Sequence, residues 1–284
     1  MALESERHMP LNLIETGQPS AGPQVHFREA VFSGYKTGAL DMFVRGRRII
    51  SLPSQLGCRV GCSFCVSKDT PLVRNMSTAQ MYDLALQCVA EIAPDGRPIE
   101  LSFTGEGEPL LNWRNTTDLV RLLPQLSPDF DAVRYCFSGL GASKLLRRIP
   151  TDTYPVRLQL SLHAARQEVR DKLVPNSAPL TEIRAGLAEY GERFSAVELN
   201  VVLQDGVNDS DEDLAALCAW GDPAWPILLN PVLGNGAERV GARTDHFEAV
   251  LRAAGRMVKR YSAIGSKISR ARIYPLMRAR PELR

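Results

Sequence analysis

The 284-residue chain has no run of eighteen or more apolar residues, so a membrane-spanning helix is excluded. Its first thirty residues also lack the basic and then apolar pattern of an export signal, and we expect a cytoplasmic protein without membrane contacts. The chain also lacks a large excess of positive or negative residues, because 34 basic and 32 acidic residues leave a net charge of +2. Since neutralising phosphates needs a concentrated basic face, this balance argues against a nucleic-acid partner.

Short apolar runs alternate with amphipathic stretches from residue 47 onward, within an ordinary globular composition of 44% hydrophobic and 23% charged residues. The apolar runs predict strands at residues 48–52, 99–104, 132–138, 156–162, 196–203 and 227–230. The amphipathic stretches predict helices at residues 78–92, 113–126, 142–148, 165–172, 180–190, 211–220 and 245–259. This alternation is typical of parallel βα units, so we expect an α/β fold closed or partly closed into a barrel.

Three regions differ in composition. Residues 1–44 carry several prolines and glycines without a sustained apolar period, and we expect an N-terminal arm there. Residues 45–265 contain the alternating elements of the predicted barrel. Residues 266–284 are a basic C-terminal segment, and from Lys259 to Arg284 there are eight basic residues and one acid, Glu282. That excess predicts either a solvated basic tail or an anion site.

Six cysteines in a chain without an export signal predict reduced thiols, and three of them are clustered. Cys58, Cys62 and Cys65 follow the first predicted strand with the spacing C-x3-C-x2-C. Thiolates at this spacing suit zinc or an iron–sulfur cluster. Structural zinc normally has four protein ligands, and the nearest downstream histidine is His163. Three thiolates on a [4Fe–4S] cluster leave one iron open for another ligand.

With Phe64 directly before the third cysteine, this loop resembles that of the radical S-adenosylmethionine (SAM) enzymes. The resemblance implies a [4Fe–4S] cluster held by Cys58, Cys62 and Cys65, with SAM bound to the open iron through its amino and carboxylate groups. It also implies that an electron from a donor such as flavodoxin or ferredoxin passes through the cluster and cleaves SAM to a 5′-deoxyadenosyl radical. The fold that it implies is a partial (β/α)6-type TIM barrel.

Five further motifs resemble one branch of that superfamily, the adenine carbon-2 methyltransferases of rRNA and tRNA with their chloramphenicol–florfenicol resistance relatives. These motifs occur in the family order and are TGEGEPLLN at 104–112, SLHA at 161–164, LVPN at 173–176, GVNDS at 206–210 and NP at 230–231. The resemblance covers roughly residues 45–265, which is most of the chain.

The candidate SAM contacts lie in or beside these motifs, at Gly107, Glu108, Ser138, Ser161, His163 and Asn230. A glycine allows a ligand to approach the backbone closely, and the Glu108 carboxylate is suited to accept hydrogen bonds from an amino group. Ser161 and Asn230 offer hydrogen bonds to ribose hydroxyls or to the SAM carboxylate. Structural roles stay open, such as a turn at Gly107 or a satisfied polar group at His163. Cys136 stands where the family has the first serine of a Ser-x-Ser-Gly element, so Ser138 is the nearest polar substitute.

Three parts of the RNA-methylating machinery of that branch are missing from the sequence. Arg272 stands at about the place of the methyl-carrying cysteine, and no cysteine follows Cys218. Residues 40–41 stand near the place of a catalytic glutamate that the chain lacks. Some forty residues precede the first core strand, where the family has an RNA-binding domain.

We therefore expect a radical SAM enzyme that acts on a small anionic substrate, such as a nucleoside, nucleotide or sugar of specialised metabolism. Arg270 and Arg272 share one face of an extended strand and are candidate substrate ligands, together with Glu106. Two alternatives stay open. One is a radical SAM RNA adenine methyltransferase, and the other is a noncatalytic iron–sulfur or zinc binding module.

Overall fold

The computed structural model describes residues 13–14, 25–32, 35–44, 46–65, 67–90, 96–230, 232–234 and 237–260. Its strands are β1 Leu13–Ile14, β2 Val25–Phe32, β3 Tyr35–Val44, β4 Arg47–Ser51, β5 Gln55–Leu56, β6 Arg74–Asn75, β7 Ile99–Phe103, β8 Phe130–Phe137, β9 Val156–Ser161, β10 Ala196–Val202, β11 Ile227–Asn230, β12 Val232–Gly234, β13 Ala237–Arg239 and β14 Val258–Arg260. Its α-helices are α1 Thr78–Ala90, α2 Trp113–Leu126, α3 Ala142–Leu145, α4 Gln167–Leu173, α5 Leu180–Tyr190, α6 Asp211–Ala219 and α7 Thr244–Ala253. Short 3-10 helices cover Pro109–Asn112, Leu146–Arg148 and Gly191–Arg193.

The centre of the fold is a parallel sheet in the order β4-β7-β8-β9-β10-β11-β14. The predicted α/β partial barrel is confirmed, and the six predicted strands correspond to β4 and to β7 through β11. Because the strands are parallel, their carboxyl ends lie at one edge of the sheet. The segments that follow β4, β7, β8, β9 and β11 therefore meet at that edge.

The N-terminal side of the sheet continues in antiparallel fashion. Strand β3 pairs with β4, with Leu40 opposite Ser51, and β2 pairs with β3. Within the predicted N-terminal arm, strands β2 and β3 thus extend the same sheet. The domain division at residue 44 stays a prediction.

Strand β14 lies where the sequence predicted the end of a helix over residues 245–259. The observed helix α7 ends at Ala253, because Gly255 has a positive φ of 79° that interrupts the helix. The buried guanidinium of Arg256 then donates to the carbonyls of Trp220 at 2.9 Å and Trp225 at 3.3 Å. These contacts hold the chain against the barrel, where β14 pairs with β11.

The two faces of the sheet differ in polarity. Fully buried leucines such as Leu101 and Leu199 belong to the apolar core that packs against the helices. Along β7 and β10, alternate residues point to the opposite face, where Glu100 lies 2.9 Å from Arg134 and Glu198 lies 2.7 Å from Lys259. The barrel interior is therefore lined by charged and polar groups. Within the described ranges, no helix combines the length and apolarity that crossing a bilayer requires.

Candidate cofactor site

The cysteine loop begins directly after β5 and contains Cys58, Cys62 and Cys65, none of which is in a disulfide. Gly57 precedes it with a φ of 80°, and a Cβ at this position would overlap the carbonyl oxygen of Pro71, so a side chain is excluded. The main-chain N–H of Cys58 donates to the Thr70 carbonyl at 3.2 Å, and that of Cys65 donates to the Cys62 carbonyl at 3.0 Å. The loop thus has a defined turn geometry that brings three thiols to the edge of the sheet.

The three thiols interact electrostatically. Burial raises the pKa of Cys58 to about 11 and raises that of Cys62 still further, and the charges of the neighbouring cysteines add to the shift at Cys62. The Ser67 N–H donates to Cys65 Sγ at 3.4 Å. Without a metal, the raised pKa values favour the protonated thiols. A cationic metal centre reverses this preference, because it stabilises the thiolate form.

The donor set fits a [4Fe–4S] cluster. In the described part of the chain, no three metal-ligating side chains surround a single point as one metal ion requires. A cubane cluster does not require such convergence, since each thiolate binds a different iron. Cys58, Cys62 and Cys65 are thus proposed as the cluster ligands.

Helix α4 and the turn after it support the cysteine loop. Val60 packs against Leu173 in a small apolar cluster. The Ser63 N–H donates to the Leu173 carbonyl at 2.9 Å, and the Asn176 amide donates to the carbonyls of Arg59 at 3.1 Å and Val60 at 3.2 Å. The LVPN motif therefore holds the cysteine loop, a role that the sequence had not indicated.

Glu108 follows β7, and its carboxylate is hydrogen-bonded to the segment that follows the neighbouring strand β8. One carboxylate oxygen accepts from the Ser138 N–H at 2.7 Å, and the other accepts from the Leu110 N–H at 3.3 Å. Burial raises the pKa of Glu108 to about 7, although these hydrogen bonds and the charge of Arg170 act in the opposite direction. Each oxygen keeps a second lone pair, so the carboxylate has acceptor capacity left for a ligand.

Gly107 is required by packing. It has a φ of 98°, and a Cβ there would lie 2.5 Å from the Cβ of Gln55. The close approach lets the Gln55 side-chain oxygen accept the Glu108 N–H at 2.8 Å. Gln55 is thus a site residue that sequence reasoning missed, although its place three residues before the first cysteine was visible.

His163 is neutral and buried. Burial, followed by the charge of Arg170, lowers its pKa to about 3, and its Nδ1 accepts the Val202 N–H at 3.2 Å. Among the non-glycine residues that the structure describes, His163 alone has a positive φ, and its value is 57°. The Asn208 amide supports this conformation by donating to the His163 carbonyl at 2.6 Å.

Ser161 and Asn230 lie at the carboxyl ends of β9 and β11, on either side of Asn200. Both are half-buried, and the Asn230 amide donates to the Asn200 side-chain oxygen. The Asn230 Oδ1 atom is buried without a hydrogen-bond partner in the described residues. Such an atom is suited to accept a donor from a bound ligand.

Cys136 near the end of β8 and Ser138 directly after β8 make different contacts. The Cys136 sulfur lies 2.7 Å from Thr104 Oγ1 and donates to the Gln159 side-chain oxygen at 3.2 Å. Ser138 donates its N–H to Glu108, and its carbonyl accepts from Arg170 and Ser177. Its hydroxyl accepts the Leu140 N–H at 3.4 Å and also hydrogen-bonds to Glu108. The structure therefore brings Ser138 next to Glu108.

Glu106 points away from the cluster loop. Its buried carboxylate accepts from the Tyr35 hydroxyl at 2.7 Å and from Thr37 Oγ1 at 3.4 Å, both on β3. A substrate contact by Glu106 stays a prediction. Arg270 and Arg272 lie outside the described residues.

Arg170 is the second site residue that the sequence did not reveal. It lies inside the predicted helix 165–172, where an arginine is normally solvated, yet its side chain is 1% exposed. Nothing in the local pattern signals this burial.

The barrel and its three-cysteine loop define an α/β protein built to hold a metal cluster at the carboxyl ends of parallel strands. Residues 52–218 match the Radical SAM superfamily, and the chain belongs to it. Its cofactors are a [4Fe–4S] cluster and SAM, and it is an enzyme. The alternative of a noncatalytic binding module is wrong.

Among curated proteins, the chain is 34% identical over 244 residues to the probable dual-specificity RNA methyltransferase RlmN of Parafrankia sp. (strain EAN1pec), covering 78% of this chain and 63% of the relative. It is 33% identical to the protein of the same name from Moorella thermoacetica, covering 80% of this chain and 66% of the relative. The chain thus spans less than two thirds of the length of these relatives. A radical SAM methyltransferase from Sphaerobacter thermophilus has the same fold, with a TM-score of 0.72, 27% identity, and coverage of 89% and 77% of the two chains.

These relatives overturn one prediction. The expectation of a small-molecule substrate and no nucleic-acid partner is wrong, because the relatives are named RNA methyltransferases. The physical reason is that net charge averages over the whole surface and does not report a local basic face. Basic groups do lie together locally, since the centroid of the Trp113 ring is 4.7 Å from the Arg114 guanidinium and 5.3 Å from that of Arg148. The cytoplasmic location stays a prediction.

Proposed function

We propose that this chain is a radical SAM enzyme that modifies RNA. The observation that carries the proposal is its similarity to the RNA methyltransferases over more than three quarters of the chain, together with a complete three-cysteine loop. When bound, the cluster supplies the electron that cleaves SAM.

The residues around the loop have separate tasks in this proposal. Cys58, Cys62 and Cys65 ligate the cluster. Glu108 accepts hydrogen bonds from the amino group of SAM, since it is buried beside the loop and retains acceptor capacity.

A second set of residues binds the rest of SAM. Ser161 and Asn230 hydrogen-bond its ribose or carboxylate, and the Asn230 Oδ1 atom, without a partner in the described residues, accepts from a ribose hydroxyl. His163 stays neutral and fixes the end of β9, because its Nδ1 atom accepts a main-chain hydrogen bond. Gly107 allows Gln55 to hold the Glu108 main chain.

The reaction that the relatives' names suggest is methyl transfer to RNA. The sequence has no cysteine after Cys218, so a thiol at the position of Arg272 is not available to carry the methyl group. The experiment must therefore detect RNA modification with and without transfer of the methyl group.

The chain, reconstituted anaerobically with iron and sulfide, is incubated with dithionite, rRNA or tRNA transcripts and SAM carrying a deuterated methyl group. We expect 5′-deoxyadenosine formation to rise when RNA is added, and a new nucleoside to appear in the RNA digest. Its mass shows whether the deuterium was transferred. A Cys62→Ala variant is the control. The proposal would be contradicted if the RNA stayed unmodified and the rate of 5′-deoxyadenosine formation did not change when RNA was added.

A further inference from the structure

A buried positive charge lies beside the cysteine loop. Arg170 on α4 is 1% exposed, and it donates to the Leu162 carbonyl at 3.0 Å, the Ser161 carbonyl at 3.3 Å and the Ser177 hydroxyl at 3.0 Å. It also donates to the Ser138 carbonyl. The guanidinium therefore ties together the chain segments that follow β8 and β9.

All of these partners are neutral oxygens. No carboxylate lies within 4.0 Å of the Arg170 guanidinium in the ranges that the structure describes, and its Nε has no hydrogen-bond partner there. Burying a guanidinium without an anion in direct contact is costly, and such charges are normally paired. The arrangement favours a bound negative group close to Arg170.

Helix α4 connects Arg170 to the cysteine loop. Cys62 packs against the apolar cluster that contains Leu173 and Val169, the residue before Arg170 on α4. The Ser63 N–H also donates to the Leu173 carbonyl at 2.9 Å. The second cysteine therefore lies against the helix that carries the buried guanidinium.

We propose that Arg170 is the buried counter-charge of the [4Fe–4S] cluster and that it raises the reduction potential of the cluster. The inference rests on the assignment of Cys58, Cys62 and Cys65 as ligands and goes beyond it. Reduction adds one negative charge to the cluster, and a fixed cation in a low-dielectric surrounding stabilises that charge. Arg170 is thus a positioning residue. It acts on the cluster through the electrostatic field of its guanidinium and through the packing of the cysteine loop on α4.

The test compares two buried arginines that bind carbonyl groups in similar ways. Arg256 is 4% exposed and donates to the carbonyls of Cys218, Trp220 and Trp225, away from the cysteine loop. Both Arg170→Gln and Arg256→Gln lose a buried carbonyl-binding side chain, so both lower the thermal stability. Only the first change removes the charge next to the cluster.

The measurement is the midpoint potential of the reconstituted cluster, from the electron paramagnetic resonance signal of the reduced state during a redox titration. We expect Arg170→Gln to lower the equilibrium constant for one-electron reduction about tenfold, which is a shift of about 59 mV to more negative potential. Arg256→Gln should keep the wild-type potential. Arg170→Lys retains the charge but loses donors, so its stability should fall while its potential stays near that of the wild type.

An unchanged potential in Arg170→Gln with a full cluster would overturn the inference. If Arg170→Gln does not fold, the Arg170→Lys variant provides the test. A midpoint potential that falls in Arg170→Lys together with its thermal stability would show that Arg170 has a structural role alone. A wild-type chain that assembles no cluster would instead refute the ligand assignment. RNA is absent from the titration, so the result is independent of the substrate proposed above.

Discussion

The ring of Phe64, between the second and third cysteines, packs edge-on against the imidazole of His163, with the two ring centroids 4.5 Å apart. This contact joins the cysteine loop to the segment that follows β9. Two motifs separated by about one hundred residues are thereby held in one rigid unit.

Phe64→Ala should loosen this unit. Phe64 is half-buried, so we expect a loss of about 1–2 kcal/mol in unfolding free energy, less than the 3–5 kcal/mol of a fully buried phenylalanine. The cluster should also be lost several times faster in air, as followed by its visible absorbance. Phe64→Leu, which keeps an apolar contact, is the control. Equal cluster lifetimes in wild type and Phe64→Ala would contradict this role.

Replacing Cys58, Cys62 or Cys65 by alanine should abolish the iron–sulfur chromophore and SAM cleavage together. Cys88→Ala is the matched control, because Cys88 lies on the buried face of α1 and burial raises the pKa of its thiol to about 12. Iron and sulfide per chain give the readout. A full cluster in any one of the three variants would show that its cysteine is not a ligand.

SAM binding should strengthen as the pH rises through the pKa of Glu108. Burial raises that pKa to about 7, so the group is largely protonated near pH 6 and becomes a carboxylate, the better acceptor, toward about pH 8. Glu108→Gln should bind SAM more weakly and without this pH dependence, and Glu108→Ala should lose about 2–5 kcal/mol of binding free energy. Anaerobic calorimetry at several pH values measures both effects.

Glu106→Gln is the control for that experiment, since the Glu106 carboxylate accepts hydrogen bonds from Tyr35 and Thr37 on β3. It should retain the pH dependence of SAM binding. A Glu108→Gln variant with the wild-type profile would remove Glu108 from the SAM site.

Tyr35→Phe should destabilise the protein without changing the cofactors. The Tyr35 hydroxyl donates to the buried Glu106 carboxylate at 2.7 Å, and its removal leaves an acceptor short of one partner. We expect a cost of about 1–3 kcal/mol in denaturant unfolding. Cluster content and SAM affinity should match the wild type. A selective loss of RNA modification at unchanged stability would instead support a substrate role for Glu106.

The sequence allowed much of the fold to be predicted because its signals are local. Helices α2 and α5 have the predicted bounds, since their apolar period is regular. The hairpin of β2 and β3 was missed, because this segment lacks a sustained apolar period in the sequence. The short β14 was missed, because it depends on pairing with β11, and the predicted helix over 245–259 was too long because Gly255 interrupts it.

The site was predictable to a different extent. The cysteine spacing is a local pattern, and the resemblance of this loop to the radical SAM enzymes predicted the cofactors. The burial of Arg170 and the contact of Glu106 with Tyr35 arise only when separate segments pack together. The partner was misjudged because net charge carries no information about where the charges lie.

The account rests most heavily on a [4Fe–4S] cluster whose open iron binds SAM. The direct test is electron–nuclear double resonance on the reduced, reconstituted protein, with SAM labelled by ¹⁵N at its amino group. We predict a hyperfine coupling from the labelled nitrogen, and we expect it to disappear when unlabelled SAM is added in excess. A reduced cluster that shows no such coupling at saturating SAM would contradict the account.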